Sequence, residues 1–539
     1  MADCKFETVG LMIDVSRNAV MSIEGWRRFL PLISEMGYNA IFLYMEDVYE
    51  VIDEPFFGYM RGRYTLSELS ELESLGEQYG IEMIPCIQTL AHLDQIFRWK
   101  VYPKDNTDIL MVGDERTYQL IDNMFKTLST VFKSRRIHVG MDEAGGLGRG
   151  KYHDVYGCQG EDEIMRRHLM RVKEIAESYG YEIMMWSDMF FRGWNDGSYY
   201  CEKTEIPESY RRALPEGVIP VHWDYYMPEE KRYDDMLENH KQLSDNVWFA
   251  GGVWTWIGFA PSNTFTLKTM LPAIEACKKH GVKNLFFTLW GDYGAECSRF
   301  SVLPSLFYLS EVIRGNDDPI SIKLKFKERF GIDYDQFCAL DLPNRVAHDP
   351  ENKFECENTS KYMLYSDCLQ GHLDFTVMRG EGRAYGEIAL KIKQAGRVAG
   401  EYGYLFDTLS LLSEILSYKY ELGVKTREAY RTADKRTLYR LAKNDYSSVI
   451  KLLPRFIKTF KKQWLAENKY SGFDVQEYRL GGLLTRMKGC RDRILDYVKG
   501  RIDSLEELEC EVMPYGEYKS GVASTFYHFL TTFTSNLVD

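Results

Sequence analysis

The chain has 539 residues, 45% of them hydrophobic and 27% charged, a globular composition with length enough for two domains and a large core. Its formal net charge of -13 argues against a nucleic-acid backbone or an anionic membrane surface as partner, because both need clustered Lys and Arg. No stretch approaches the apolar length that spans a bilayer, the N-terminus has no basic region followed by an apolar run, and the 11 Cys include no Cys-x-x-Cys; the expectation is a cytoplasmic protein with reduced thiols.

From residue 8 to about residue 315, short apolar runs alternate with longer amphipathic segments eight times. The predicted strands are Val9 to Val15, Ala40 to Tyr44, Met83 to Gln88, Ile137 to Met141, Ile183 to Trp186, Val218 to Trp223, Val247 to Trp254 and Asn284 to Trp290. Helical spacing follows, as in Leu66 to Tyr79, Glu161 to Tyr179, Leu267 to His280 and Pro304 to Ile313. Strands alternating with helices imply a parallel sheet, and eight repeats suggest closure as a (β/α)8 TIM barrel over residues 1–315. An open doubly wound sheet is the competing architecture, but no G-x-G-x-x-G follows the first strand. Beyond a polar break at Asn316 to Pro319 and a stretch without period from Asn344 to Ser360, long helical segments predict a mostly α-helical C-terminal domain over 316–539. Those helices are Ile388 to Leu405, Leu409 to Tyr420, Asp434 to Leu453 and Leu480 to Leu508.

A barrel gathers its functional groups where the strands end, because the loops there converge on one mouth. Strand one ends in Asp14-Val-Ser-Arg17, strand two in Tyr44-Met-Glu46-Asp47 and strand three in Gln88-Thr-Leu-Ala-His92. Strand four runs into Asp142-Glu143, strand five into Trp186-Ser-Asp188 and strand six into His222-Trp-Asp224-Tyr225-Tyr226. Strand seven ends in Trp254-Thr-Trp256 and strand eight in Trp290-Gly-Asp292-Tyr-Gly-Ala-Glu296. Singly these are ordinary: a strand-end Trp packs, a lone His is a satisfied structural group, and an isolated Asp-Glu opens a helix. Together, aromatic rings beside Arg and carboxylates make the composition of a sugar subsite, where ring faces stack on C–H faces and charged groups hold hydroxyls. Asp142 and Glu143 are the best candidates for the chemistry, followed by a loop with Gly145, Gly146, Gly148 and Gly150. Neighbouring residues of a strand point to opposite faces, so one acting as nucleophile and the other as acid across a single bond is awkward. A substrate-assisted scheme fits better: the sugar's own 2-acetamido group attacks C1, one carboxylate steadies it and the other moves the proton. No metal or other cofactor is implied, since His138, His153 and His222 lack ligand spacing.

His138-Val-Gly-Met-Asp-Glu143 resembles the His-x-Gly-Gly-Asp-Glu signature of family 20 glycoside hydrolases, the β-N-acetylhexosaminidases. The likeness extends to Asp14-Val-Ser-Arg17 and to Trp290-Gly-Asp292, which is similar to that family's Trp-Gly-Glu. Trp186-Ser-Asp-Met-Phe-Phe191, Trp256-Ile-Gly-Phe-Ala-Pro261, Phe300-Ser-Val-Leu-Pro304 and Gly58-Tyr-Met-Arg-Gly-Arg-Tyr64 look most like the bacterial subgroup built from a barrel plus a C-terminal helical domain.

The resemblance implies a retaining exo-β-N-acetylhexosaminidase acting on an oligosaccharide or glycoconjugate with a terminal GlcNAc or GalNAc. Asp142 would hold the acetamido N–H, and Glu143 would be general acid, then base, with a raised pKa in a Trp-lined pocket. Tyr225 or Tyr226 would donate to the acetamido oxygen, and Arg17 would hold the 3- and 4-hydroxyls. Asp292 or Glu296 would meet the 4- and 6-hydroxyls, Trp186, Trp254, Trp256 and Trp290 would line the pocket, and His92 would sit at its rim. Met141 and Asp292 depart from the family pattern, and the α+β domain that often precedes the barrel is missing, which leaves the C-terminal helices to buttress it or to mediate a homodimer. Two alternatives stand beside this reading: a barrel of another family that uses paired aspartates, against which Glu143 argues, and a catalytically idle sugar-binding or sensing protein.

Overall fold

The computed structural model describes residues 6–345 and 359–513. Residues 346–358, most of the polar stretch expected after Asn344, lie outside the described residues, as do 1–5 and the C-terminal 514–539 of the expected helical domain. Eight parallel strands close into a barrel in sequence order, β1 to β8. They are β1 (Thr8–Asp14), β2 (Ala40–Tyr44), β3 (Glu82–Cys86), β4 (Arg136–His138), β5 (Glu182–Trp186), β6 (Ile219–Trp223), β7 (Trp248–Gly252) and β8 (Asn284–Leu289). Closure is made by β1 pairing with both β2 and β8, with Gly10 opposite Ala40 on one side and Phe286 on the other. A mostly helical C-terminal region follows, so the barrel-plus-helices architecture expected from the alternation is the observed one.

Two compact units organise the chain. The first holds residues 1–253, 266–290 and 309–315; the second holds 254–265, 291–308 and the chain from Asn316 onward.

In the first unit the barrel interior is filled by an aromatic column. Gly10 leaves room on β1: a Cβ there would lie 3.0 Å from Phe42 and 3.1 Å from Phe286. Those two rings stack at 4.2 Å across the gap. Trp248 meets Phe42 edge-on below them, and Trp186 lies 6.0 Å from Phe286 on the other side. The column thus leads from packed core to the ends of β2, β5 and β8, where Trp186, Trp290 and Tyr44 lie against one another.

The helices between strands follow from caps and apolar stripes. Thr65 makes a capping box with Glu68 at the start of Leu66–Gln78, and Ser22 caps Ile23–Glu35 through the Gly25 amide. The fifth unit departs from the expected pattern. After β5 there are only two single-turn helices, Met189–Arg192 and Glu208–Arg211, because Gly193, the Asn195-Asp196-Gly197 turn and Pro207 interrupt any longer run.

The second unit is a helical assembly. Its principal helices are Pro319–Phe330, Glu381–Gly396, Gly403–Lys419, Leu422–Arg431, Ser447–Glu467 and Phe473–Val498. The expected single helix from Ile388 to Leu405 is two, broken around Gly400, whose φ is 54°. The expected helix from Asp434 to Leu453 is continuous from Lys435, with a π-helical turn at Ala442–Tyr446 joining Lys435–Leu441 to the start of Ser447–Glu467. The segments 254–265 and 291–308 group with these helices through specific contacts within the unit. Phe259 packs against Phe456 and Phe460, and Asp341 accepts from the backbone N–H of Asn263 and Thr264.

If Gly10 is the gap that lets Phe42 and Phe286 stack, Gly10→Val overpacks the barrel and lowers stability by about 1–3 kcal/mol. Thermal unfolding of the full chain would then show a lowered midpoint for the barrel transition; an unchanged midpoint would refute the packing argument.

Candidate active site

β4 stops early for a reason that shapes everything beyond it. Gly140, Met141 and Glu143 all have left-handed backbone, with φ of 71°, 69° and 48°. For Met141 and Glu143, which are not glycine, this costs on the order of 1–3 kcal/mol each unless the surroundings enforce it. The surroundings do so. Gln88 accepts from the Met141 N–H at 3.2 Å and donates to Asp142 Oδ1 at 2.8 Å, while Asp188 Oδ2 accepts from the Glu143 N–H at 3.0 Å. Only glycine fits at 140, since a Cβ would fall 2.1 Å from Gln88 Oε1.

The turn brings two adjacent carboxylates to one imidazole. His92 Nε2 is 3.2 Å from Asp142 Oδ2 and 3.8 Å from Glu143 Oε2. Their surroundings nonetheless differ: the Asp142 side chain is 13% exposed and that of Glu143 is 49%. Burial alone would raise the Asp142 carboxyl, but His92 and Gln88 hold it below the usual carboxylate range. Burial alone would depress the His92 imidazolium, yet Asp142, aided by Glu46, carries it up to about 10. Asp142 is therefore an ionised group in a polar socket, whereas Glu143 reaches toward solvent with Arg192 Nη2 3.3 Å from its Oε1.

A hydrogen-bonded chain links this pair to the ends of β1, β2 and β3. Arg17 pairs with buried Glu46 at 3.0 Å, Glu46 accepts from the Tyr44 hydroxyl at 3.2 Å, and that hydroxyl accepts from Gln88 at 2.9 Å. Asp14, buried at the end of β1, accepts from the backbone N–H and hydroxyl of Ser16, which shapes the turn carrying Arg17. Burial raises the Glu46 carboxyl, with Arg17 opposing.

Aromatic side chains make the wall. Trp186 is buried, with its ring 6.1 Å from Trp290 and 4.4 Å from His138. Burial holds the His138 imidazole down to about 3, so it is neutral; its Nδ1 accepts from the Gly140 N–H. Tyr225 stacks on Trp223 and is hydrogen-bonded with Trp290 and Thr288; burial, aided by nearby Tyr226 and Asp142, raises its hydroxyl well above the usual tyrosine range against the opposing pull of those two bonds. Tyr226 is half-buried, with its ring 5.7 Å from that of Tyr225 and its N–H on Asp224 Oδ1.

Arg17, His92, Asp142, Glu143, Trp186, Tyr225 and Trp290 are thus assembled within the first unit. Trp254, Trp256, Asp292 and Glu296 belong to the second. There Trp254 and Trp256 stack at 4.1 Å, and Asp292 is half-buried in a 3-10 turn. Glu296 is buried, with its carboxylate taken by Lys361 at 2.8 Å and Arg479 at 3.3 Å. From sequence alone Gln88, Glu46 and Asp188 stand only as strand-end residues without a role. Arg192 lies beyond the strand-end motif, although its position one helical turn after Asp188 puts both on one face. Among the described residues no group of three or more His, Cys, Asp and Glu is placed to hold a metal ion.

A carboxylate pair over an aromatic floor, at the C-terminal end of a closed parallel barrel, is the equipment of a glycoside hydrolase. Residues 6–205, which include both acids, match the sequence model of the glycosyl hydrolase family 20 catalytic domain, and residues 335–527 match that of the glycoside hydrolase 20C C-terminal domain. The two matches together span well over half of the chain, which belongs to glycoside hydrolase family 20. It is similar to beta-hexosaminidase 3 of Arabidopsis thaliana, at 28% identity over 29% of this chain and 30% of that protein, so less than a third of that relative's length is matched. Hexosaminidase D of Bos taurus is 24% identical over 46% of this chain and 69% of its own. Among solved structures, a family 20 exo-β-N-acetylglucosaminidase from Vibrio harveyi aligns with a TM-score of 0.46 at 13% identity, over 62% of this chain and 58% of that one.

The ion pair at the centre of the site has a direct signature. An NMR titration of His92 is expected to show an imidazolium persisting through pH 8, and Asp142→Asn should drop its midpoint below 6.5, where burial then dominates. A midpoint near 6.5 in the unmodified protein would contradict the pairing.

Proposed function

We propose that this protein is a retaining exo-β-N-acetylhexosaminidase that removes terminal, non-reducing GlcNAc or its 4-epimer GalNAc from an oligosaccharide or glycoconjugate. The observation that carries the proposal is the contrast between neighbouring acids: Asp142 sunk and ionised between Gln88 and His92, Glu143 half-exposed and reached by Arg192. A double displacement with an enzyme nucleophile needs carboxyl groups on opposite sides of the anomeric carbon. Here both approach the same His92 nitrogen. That arrangement suits a nucleophile carried by the substrate.

In the first step the acetamido oxygen attacks C1, the C1–O bond to the leaving group breaks, and Glu143 gives its proton to the departing oxygen. The product is an oxazolinium ion. Asp142 accepts the acetamido N–H and offsets the positive charge, which requires the ionised state that His92 and Gln88 favour. Tyr225 donates to the acetamido oxygen. In the second step Glu143 takes a proton from water, whose oxygen attacks C1 as the C1–O bond of the ring opens, so the β configuration is restored and Glu143 is reprotonated. Arg17 holds the 3- and 4-hydroxyls, and Trp186 with Trp290 excludes water from the intermediate.

The nine described cysteines are free thiols, most of them buried, which supports the cytoplasm as the place of action. Among the described residues no helix is long and apolar enough to cross a membrane.

The test is hydrolysis of 4-nitrophenyl β-N-acetylglucosaminide. The intact protein should release nitrophenol, and Glu143→Gln should lower kcat/KM by roughly 10²-fold or more. A thiazoline analogue of the cyclic intermediate should inhibit competitively. Full activity of Glu143→Gln, or indifference to the thiazoline, would refute the assignment; sugar binding without turnover in the intact protein would favour a sugar-sensing role.

A further inference from the structure

Glu143 presents a problem that the residues touching it resolve. Its side chain is half-exposed and, left to itself, would sample several rotamers. A general acid cannot do that and still meet the leaving oxygen within hydrogen-bond distance.

Asp188 Oδ2 takes the Glu143 backbone N–H at 3.0 Å and, with the same oxygen, Arg192 Nε at 3.1 Å. Arg192 in turn places Nη2 3.3 Å from Glu143 Oε1. A single buried oxygen therefore ties down both the left-handed main chain of Glu143 and the guanidinium that reaches its carboxyl. Asp188 is fully buried and Arg192 only partly so. The spacing of four residues on the Met189–Arg192 turn puts both on one face. As a source of stability the half-exposed Arg192–Glu143 pair is worth little, because solvent screens it and two long side chains must be ordered. Its geometry is another matter. A guanidinium has donors and no acceptor, so it requires a lone pair on Oε1. The proton of the acid form is thereby directed to the other oxygen, Oε2, which at 3.8 Å lies outside hydrogen-bond distance of the His92 Nε2 donor.

We propose that Asp188 and Arg192 act as one positioning device for the general acid, fixing its rotamer and sending its proton to Oε2. Neither touches the sugar. The inference rests on the hydrolase reading above and deepens it: proton donation, rather than attack by the acetamido group, is the step these two residues serve.

A leaving-group series separates this role from a structural one. Aryl β-N-acetylglucosaminides with phenols of graded acidity would be hydrolysed by the intact protein and by Arg192→Gln, Asp188→Asn and Arg192→Lys. Arg192 is partly exposed, so its variants fold even if the Asp188 variant does not. Arg192→Gln and Asp188→Asn should lower kcat/KM by roughly tenfold or more for the unsubstituted phenyl glycoside, which needs the proton. For the dinitrophenyl glycoside, which departs without it, the loss should be less than about threefold. Arg192→Lys should rescue only part, because an ammonium cannot span Asp188 and Glu143 as the fork does. An equal loss across the series, or no loss with Arg192→Gln, would overturn the proposal while leaving the hydrolase reading standing. An intact protein that hydrolyses none of the series would overturn both.

Discussion

The constraint on which the rest of the structure depends is the left-handed turn from Gly140 to Glu143. In extended backbone, consecutive side chains point to opposite faces, and Asp142 and Glu143 could not serve one cavity. Positive φ at Gly140, Met141 and Glu143 turns the chain so that both carboxylates come within 4 Å of the same His92 nitrogen. Strain of a few kcal/mol at Met141 and Glu143 is offset by the hydrogen bonds that their backbone N–H groups donate to buried Gln88 and Asp188. Bonds of this kind contribute about 0.5–1.5 kcal/mol each, and more when one partner is charged. The balance is close, so the turn depends on both side chains.

Those two side chains are in turn held by the barrel. Gln88 is part of a chain that runs from Arg17 through Glu46 and Tyr44 to Asp142, linking the ends of the first four strands. Asp188 stands two residues beyond Trp186, which crowns the aromatic column rising from Trp248 through Phe42 and Phe286. A rigid apolar floor under a connected polar rim is what preorganises a site: the floor fixes strand ends, and the rim fixes which way their carboxylates face.

The fold was legible because its repeat is physical. Alternating apolar runs and amphipathic segments place each strand within a residue or two of where it lies, and Ala40–Tyr44 coincides with the expected run. β4 is the instructive exception: Ile137 to Met141 reads as one apolar strand, yet Gly140 and Met141 leave extended backbone because of bonds to a residue more than 50 positions earlier. Asp142, Glu143, Arg17, His92 and Trp186 could be picked out since they stand at strand ends. The supporting residues could not be ranked, because nothing local shows that Gln88 will reach Asp142, or that Glu296 will be claimed by Lys361 and Arg479 from 65 and 183 residues away. After β5, Gly193 and Asn195-Asp196-Gly197 are local signals against a longer helix that the eightfold alternation by itself does not show.

If Asp142 steadies an N-acyl group that attacks its own C1, rate must follow the nucleophilicity of that acyl oxygen. The most direct measurement compares 4-nitrophenyl glycosides bearing N-acetyl, N-fluoroacetyl, N-difluoroacetyl and N-trifluoroacetyl groups. kcat/KM should fall with each added fluorine, whereas a rate indifferent to fluorination would contradict attack by the substrate's own acyl oxygen.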